Sequence, residues 1–587
     1  MKSQVQVVIF AVSFFGSALG ALTFAGSALA EGPATSPKSP TVEETVPTEV
    51  SPRAGWSFKE AAQIPVQAGG RIKPLDSYAR EVSLFVTGSR SFQGWDPVEL
   101  LVSWMTFPKA WESREFIQVQ REDVKRQLGL DEKRMRFTPA ELFKDSYLVQ
   151  YAEELFRKGE QPPVAGMKQE PREQELKNLL DRIGTFRRIV SGEAWLLIPT
   201  APPAAWQNLA TTDSSGNQIR AKFATMALAY RDGDLPHFET ASTESREAIE
   251  TSVTSLSKEN ANIKSSIWAE YVYNRTHPFL MAWILYLTSA LLWLVAIAIK
   301  RDGLAKIAFG LNITALVCHV TGFLMRCYVA GRPPVTNMYE SVIWVSFGVV
   351  VFALILYRMH KQPVLMIVAS TLATLGLIAA DSAPAVMDPG IHPLVPVLRS
   401  NYWLTIHVLT ITLGYAAFAL TTGLGNVTLF QFMKGGPGSS ARINVLNQLT
   451  YRAMQFGVVL LAAGTILGGI WADYSWGRFW GWDPKEVWAL IALLGYLAVI
   501  HARFTGWMTQ FGFTVWTVIS FTLVVMAWYG VNFVLGVGLH SYGFSTGGRG
   551  TVAACVLAQI VYIAIVAIAK FRRNSVEKTL RSTPAPA

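Results

Sequence analysis

The chain has 587 residues, 51% of them hydrophobic and only 16% charged, with a mean hydropathy of +0.27, which excludes an ordinary soluble protein and marks an integral membrane protein. The formal net charge of +10 does not point to nucleic acid, because Lys and Arg fall in short loops and the tail and not on one clustered face. Cys318, Cys327 and Cys555 lie in or beside apolar runs with no C-x-x-C, C-x-x-C-H, Walker A or H-E-x-x-H pattern anywhere. Thiol redox, zinc and nucleotide chemistry are therefore not readable.

Residues 1–30 carry an early lysine, an apolar stretch from Val5 to Leu22 and Ala28-Leu29-Ala30 ahead of Glu31, the arrangement of a cleavable secretory signal, with an uncleaved anchor as the alternative. Either way, the residues directly after it are expected outside the cytoplasm. Pro, Thr, Ser and Glu dominate 31–53, so a disordered linker is expected there. Residues 54–275 have globular composition, with helical periodicity at 113–130, 139–158, 171–190 and 238–272, and predict a mostly α extracytoplasmic domain. Its segment "IPVQAGGRIKPLDSYARE" (64–81) reads as a structural turn.

Nine apolar runs come next, near 278–299, 304–326, 338–357, 363–380, 403–432, 453–471, 485–502, 511–535 and 550–569, each long enough to cross ~30 Å of hydrocarbon as a helix. The fold class expected is an all-α polytopic membrane protein with an N-terminal mostly α domain. Placing that domain outside leaves Lys300, Arg301 and Lys306, then Arg358 and Lys361, then Lys434, Arg442 and Arg452, then Arg503, and a tail at 571–587 inside. This satisfies the positive-inside rule at every inner loop. Residues 327–337, 381–402, 471–486 and 536–549 then face outward.

One outward connection stands apart: "WADYSWGRFWGWDPKEVW" (471–488) holds five tryptophans, a tyrosine and a phenylalanine. An interfacial aromatic belt is the plain reading. A belt, however, spreads its rings over many helix ends, whereas Trp471, Trp476, Trp480, Trp482 and Trp488 crowd one connection with Gly477 and Gly481 between them. The crowding favours a platform for a large flat ligand. Asp483-Pro484-Lys485-Glu486 could supply catalytic carboxylates, but it also has the form of an N-cap with a capping box, and starting the next helix is preferred. The same structural role is preferred for Asn337 and Glu340 in "PPVTNMYES" (333–341).

Among the eight histidines, His407 in "SNYWLTIHV" and His540 in "GVGLHSYG" share the side of the tryptophan loop. His392 is the rival on spacing. His501 lies deep in the helix that the loop begins, and an ionisable group at that depth is a functional candidate, with an inner-interface residue beside Arg503 as the alternative. His319 is expected to be packed and satisfied.

These residues carry a resemblance. "WGRFWGWDPKEVWALI", flanked by "LRSNYWLTIHV" and "VNFVLGVGLHSYG", together with "GRPPVTNMYESVIW" and "LIALLGYLAVIHAR", is similar to the CcsA (ResC) family of cytochrome c assembly proteins. More broadly it resembles the haem-handling proteins with a tryptophan-rich WWD domain, which include CcmC and CcmF. The match runs over roughly 305–545, and the segment at 64–81 resembles N-terminal extensions of some members.

The resemblance implies that the outward loop presents reduced haem b for thioether attachment to a C-x-x-C-H apocytochrome c. His407 and His540 would be the axial iron ligands, His501 would mark an internal haem site, and Trp471, Trp476, Trp480, Trp482 and Asp483 would contact the cofactor. It also implies a bacterial inner membrane location, a cytoplasmic C-terminus and a separate CcsB (ResB)-like partner. No side chain would act as a nucleophile. A CcmF-like or CcmC-like haem subunit, a transporter without haem chemistry and a membrane-held scaffold are the other readings.

Overall fold

The computed structural model describes residues 50–144, 146–158, 171–211, 216–256, 261–382, 387–393, 400–436, 438–536 and 548–582. The expected signal or anchor at 1–30 and most of the expected linker at 31–53 lie outside the described residues.

The described residues of 58–276 fold as short and medium helices with three two-stranded antiparallel sheets. The core is aromatic, with Trp95, Trp104, Trp111 and Trp195 fully buried and Trp104 edge-on to Phe186 at 5.5 Å. The periodicity at 139–158, 171–190 and 238–272 appears as helices Pro139–Lys144, Ser146–Lys158, Pro171–Ser191, Leu235–Leu256 and Ile263–Thr276. The expectation at 113–130 needs correction, because only Glu122–Gln127 is helical there. Phe116, Ile117 and Val119 are buried, and Ile117-Gln118 pairs with Arg136-Phe137 instead, as β-branched residues on a half-buried surface prefer. Helices Leu75–Thr87, Pro97–Thr106 and Asn217–Asp232 were not among the expected segments.

Nine helical spans among the described residues are long and apolar enough to cross a membrane, and their α-helical parts are α1 Pro278–Ile299, α2 Asp302–Ala330, α3 Met338–His360, α4 Pro363–Ser382, α5 Leu409–Lys434, α6 Ser439–Trp476, α7 Pro484–Phe504, α8 Gln510–Val525 and α9 Arg549–Ser582. The protein is thus an all-α polytopic membrane protein. α5 is entered through the short helix Asn401–Trp403 and a π-helical stretch, Leu404–Val408, while α8 continues into a second π-helical stretch, Met526–Leu535. Alternation of successive spans puts the start of α5, the end of α6, the start of α7 and the end of α8 at the end of the bundle that carries residues 58–276, here the near end. Lys300, Arg301, Arg358, Lys361, Lys434 and Arg503 collect at the far end.

α5 is the hub of the bundle, buried along most of its length from Gly414 to Phe432 and packed against α3, α4, α6, α8 and α9. Its pairing with α6 depends on missing side chains. A Cβ at Gly457 would lie 2.5 Å from the Phe418 ring, one at Gly464 would lie 2.7 Å from Ile411 Cβ, and one at Gly468 would lie 2.7 Å from His407 Cε1. From α5, a Cβ at Gly414 would lie 3.0 Å from the Leu461 amide. Phe418 over Gly457, Gly414 against Leu461, Ile411 over Gly464 and His407 over Gly468 step along the antiparallel pair in a single register. Small residues let helix backbones approach this closely in a membrane.

The ends of α2 and α3 are tied by a buried ionic group that the sequence reading did not foresee. Glu340 accepts from Arg326 at 2.8 Å and from Arg332 at 3.0 Å, and all three side chains are at most 3% exposed. Asn337 caps α3 as expected, taking the Glu340 amide at 2.8 Å. The Glu340 carboxylate, however, turns to the two arginines and to the Thr336 hydroxyl at 2.7 Å. Removing one member of a buried charged set strands the others. Glu340→Gln is therefore expected to destabilise the protein by about 3–5 kcal/mol, read by thermal unfolding in detergent; an unchanged melting curve would show that the group contributes nothing.

Candidate functional site: an aromatic connection beside His407

The near end of α5 departs from regular helix where it matters. Thr405, Thr410 and Thr412 each donate to the carbonyl four residues back, which competes with the helix ladder and bends it. The π-helical turn between them adds a residue and re-aims the next side chain, a device common at functional sites. That side chain is His407. Its Nδ1 lies 2.8 Å from the Gly464 carbonyl of α6; a carbonyl can only accept, so Nδ1 carries the proton and Nε2 the lone pair. The imidazole is half-buried and meets Trp471 edge-on at 5.7 Å.

The expected loop at 471–488 needs a correction in extent. α6 continues through Trp476, so Trp471 and Trp476 are helix residues, and the connection proper is the seven residues 477–483. Gly477 ends α6 in the left-handed conformation (φ 68°), its amide donating to Asp473. Asp483 starts α7 with Pro484 at its first position and a complete capping box with Glu486, so the preferred helix-start role is the one observed. Asp483 is 6% exposed.

Glu486 organises the turn. One of its oxygens accepts from the Gly481 amide at 2.8 Å and the Asp483 amide at 3.2 Å, and the other lies 3.5 Å from Arg478. The two bonded amides flank Trp482, which is held at φ 57°. A tryptophan in the left-handed region costs roughly 1–3 kcal/mol and persists only when its surroundings impose it. Trp482 is 72% exposed, edge-on to Trp480 at 6.0 Å. Arg478 stacks on Trp476 at 5.5 Å, and a Cβ on Gly481 would collide with its guanidinium. Phe479 folds back on Gly469, and Trp403, next to Tyr402, faces Tyr474 at 6.4 Å.

The structure therefore brings His407 and Trp471 into contact, pairs Trp480 with Trp482, and uses Asp483 as a cap. His501 belongs to the other end of α7, where it is exposed on the bundle surface and its Nδ1 donates to the Leu497 carbonyl at 2.7 Å. His540 lies outside the described residues; Met526–Leu535, the π-helical stretch that leads toward it, is described. His392 is engaged by Asp388 at 2.8 Å. Partial burial pushes the Asp388 carboxyl up, yet bonds from His392 and the Gly390 amide outweigh it and hold the group below the ordinary carboxylate range. His319 is buried and satisfied as expected, its Nε2 donating to the Ile343 carbonyl at 3.1 Å. Sequence reasoning missed Gly468 and Gly464, although small residues recurring along one helix were a legible signal of close approach.

Similarities to known proteins bear on this arrangement. The sequence profile described as cytochrome C assembly protein matches residues 335–540, the part that contains α3 to α8. Protein NrfI of Wolinella succinogenes is 30% identical over 506 residues, covering 82% of this chain, and the chain spans 54%, about half, of that relative's length. The cytochrome c biogenesis protein CcsA of Prochlorococcus marinus is 32% identical over 254 residues, covering 38% of this chain and 80% of that protein; CcsA of a Synechococcus species is 32% identical over 274 residues, covering 42% and 87%. With the shared region spanning the helices that build the aromatic connection and seat His407, the chain belongs to the cytochrome c assembly protein family.

Proposed function

We propose that the near end is the extracytoplasmic face of a bacterial inner membrane and that the chain, a CcsA-type component of a cytochrome c synthase, holds reduced haem b there for attachment to a C-x-x-C-H apocytochrome c. His407 and His540 are the axial iron ligands in this reading, with Trp471, Trp476, Trp480 and Trp482 shielding the porphyrin. The observation that carries it is the seating of His407. Metal-ligating histidines usually donate their second ring nitrogen to a carbonyl or carboxylate, which fixes the tautomer and the ring plane. The bond from His407 Nδ1 to Gly464 at 2.8 Å has that form, and the half-exposed aromatic surface around it suits a flat, largely apolar ligand.

Each cytochrome thiol would add across a haem vinyl group, its sulfur bonding to one vinyl carbon and its proton ending on the other, with no net oxidation. Such a reaction asks the protein for position and exclusion of water rather than a nucleophile. The basic residues of the far end support a cytoplasmic placement of that end. His501, with its Nδ1 also bonded to a carbonyl and its ring on the exposed surface of α7, suits an internal haem site completed by a CcsB (ResB)-like partner.

Purified protein from haem-replete cells is expected to show a low-spin bis-histidine spectrum, and colourless protein would sink the reading. In cells, His407→Gly should abolish cytochrome c maturation and added imidazole should restore it; normal maturation in the variant removes His407 from the site. Gly468→Val would push a side chain into the imidazole and is expected to weaken haem binding by about 10–100-fold. The matching control is Gly310→Val, where a Cβ meets nothing within 4 Å. Equal haem loss from both variants would contradict a seat built by Gly468.

A further inference from the structure

Five consecutive backbone carbonyls of the near-end segment 388–392 are each taken by a side-chain donor. Asn337 Nδ2 donates to Asp388 at 3.1 Å, Arg326 to Pro389 at 2.9 Å and to Gly390 at 3.3 Å, and Arg332 Nε to His392 at 3.0 Å. Surface connections ordinarily leave these groups to water. Asn337, Arg326 and Arg332 belong to the membrane part. The fifth carbonyl, Ile391, accepts from Arg71 Nε at 2.6 Å, a partner 320 positions away in residues 58–276.

Arg71 opens the second strand of the hairpin Pro65–Ala68/Arg71–Pro74, directly after Gly69 and Gly70, both left-handed (φ 58° and 78°). Its two terminal nitrogens each reach Glu270 at 2.6 Å, and Ser77 donates to the same carboxylate at 2.6 Å. Asn274 binds Asp76 at 2.9 Å and Ser77 at 2.8 Å. Glu270 and Asn274 lie on Ile263–Thr276, the helix that runs into α1. A Cβ on Gly70 would lie 3.2 Å from Pro393, so the hairpin tip sits on the 387–393 segment itself. The stretch 64–81, which reads in sequence as a turn, is in the structure a two-sided grip: one edge of a guanidinium on a carboxylate and its Nε on a carbonyl.

We propose that Arg71 is a positioning residue for the haem site, holding residues 387–393 at the height from which the chain goes on to Ser400, the cap of the segment that presents His407. The inference rests on the haem reading above. Pairing with Glu270 alone would need only the two terminal nitrogens; the third donor, spent on Ile391, ties residues 58–276 to the segment 387–393. By linkage the effect runs both ways: losing Arg71 loosens haem, and binding haem protects the hairpin contact.

The test uses full-length, haem-loaded protein in detergent, with hydrogen exchange of 387–393 and the rate of haem transfer to apomyoglobin as readouts. Arg71→Ala is expected to raise both by about tenfold, the size of one charge-assisted bond, while amides of Pro171–Ser191 keep their protection. Arg71→Lys retains the charge opposite Glu270 but cannot serve carboxylate and carbonyl together, so it should shift both readouts in the same direction by less. The exchange pair R71E/E270R restores the ion pair without a donor for Ile391 and should stay fast. Wild-type rates in Arg71→Ala, or full rescue by the exchanged pair, would overturn the proposal while leaving the haem reading intact. Wild-type protein that never carries haem would sink both.

Discussion

The contact between α5 and α6 is the constraint on which the candidate site depends, because it is where an imidazole and a backbone occupy space that any side chain would fill. Gly457, Gly464 and Gly468 remove Cβ atoms along one face of α6, and Phe418, Ile411 and His407 descend onto that face in register. The approach brings the Gly464 carbonyl within 2.8 Å of His407 Nδ1. Gly464 lies inside α6, so its carbonyl offers a second lone pair to the imidazole beside its place in the helix ladder. Ring orientation, tautomer and proximity to Trp471 all derive from the same interhelical distance.

Buried polar groups elsewhere serve as fixed points for the near end. Glu340 gathers Arg326 and Arg332, and those arginines in turn hold carbonyls of 389, 390 and 392. Glu486 repeats the pattern on a smaller scale, using one carboxylate to bind two amides and to hold Trp482 in a conformation it would not adopt alone. At Glu340 the partners replace water that the buried location denies. The consequence is a near end whose connections are shaped by side-chain donors and acceptors.

Much of this was legible along the chain. Nine runs of apolar residues announce nine helices because a bilayer requires continuous hydrophobicity over a fixed length, and each run falls within an observed helix. The cap at Asp483-Pro484-x-Glu486 is legible because its bonds are local. Local reading failed where distant partners decided. Trp471 and Trp476 belong to a helix rather than a loop because α6 keeps its ladder beyond the apolar run. Ile117 chose a strand because Phe137 was available to pair.

By itself, then, the sequence determined the membrane class, the nine spans found among the described residues, the helix starts and the concentration of tryptophans beside one of them, all properties of neighbours within a few turns. The tertiary structure decided which nitrogen of His407 carries the proton, which glycines make room for its ring, that Glu340 binds arginines from two segments, and that Arg71 grips a carbonyl 320 positions away. Hydrophobic length and local capping are written in adjacent residues. Close approach and charge pairing are not, because they exist only once packing has brought remote segments within a bond length of each other.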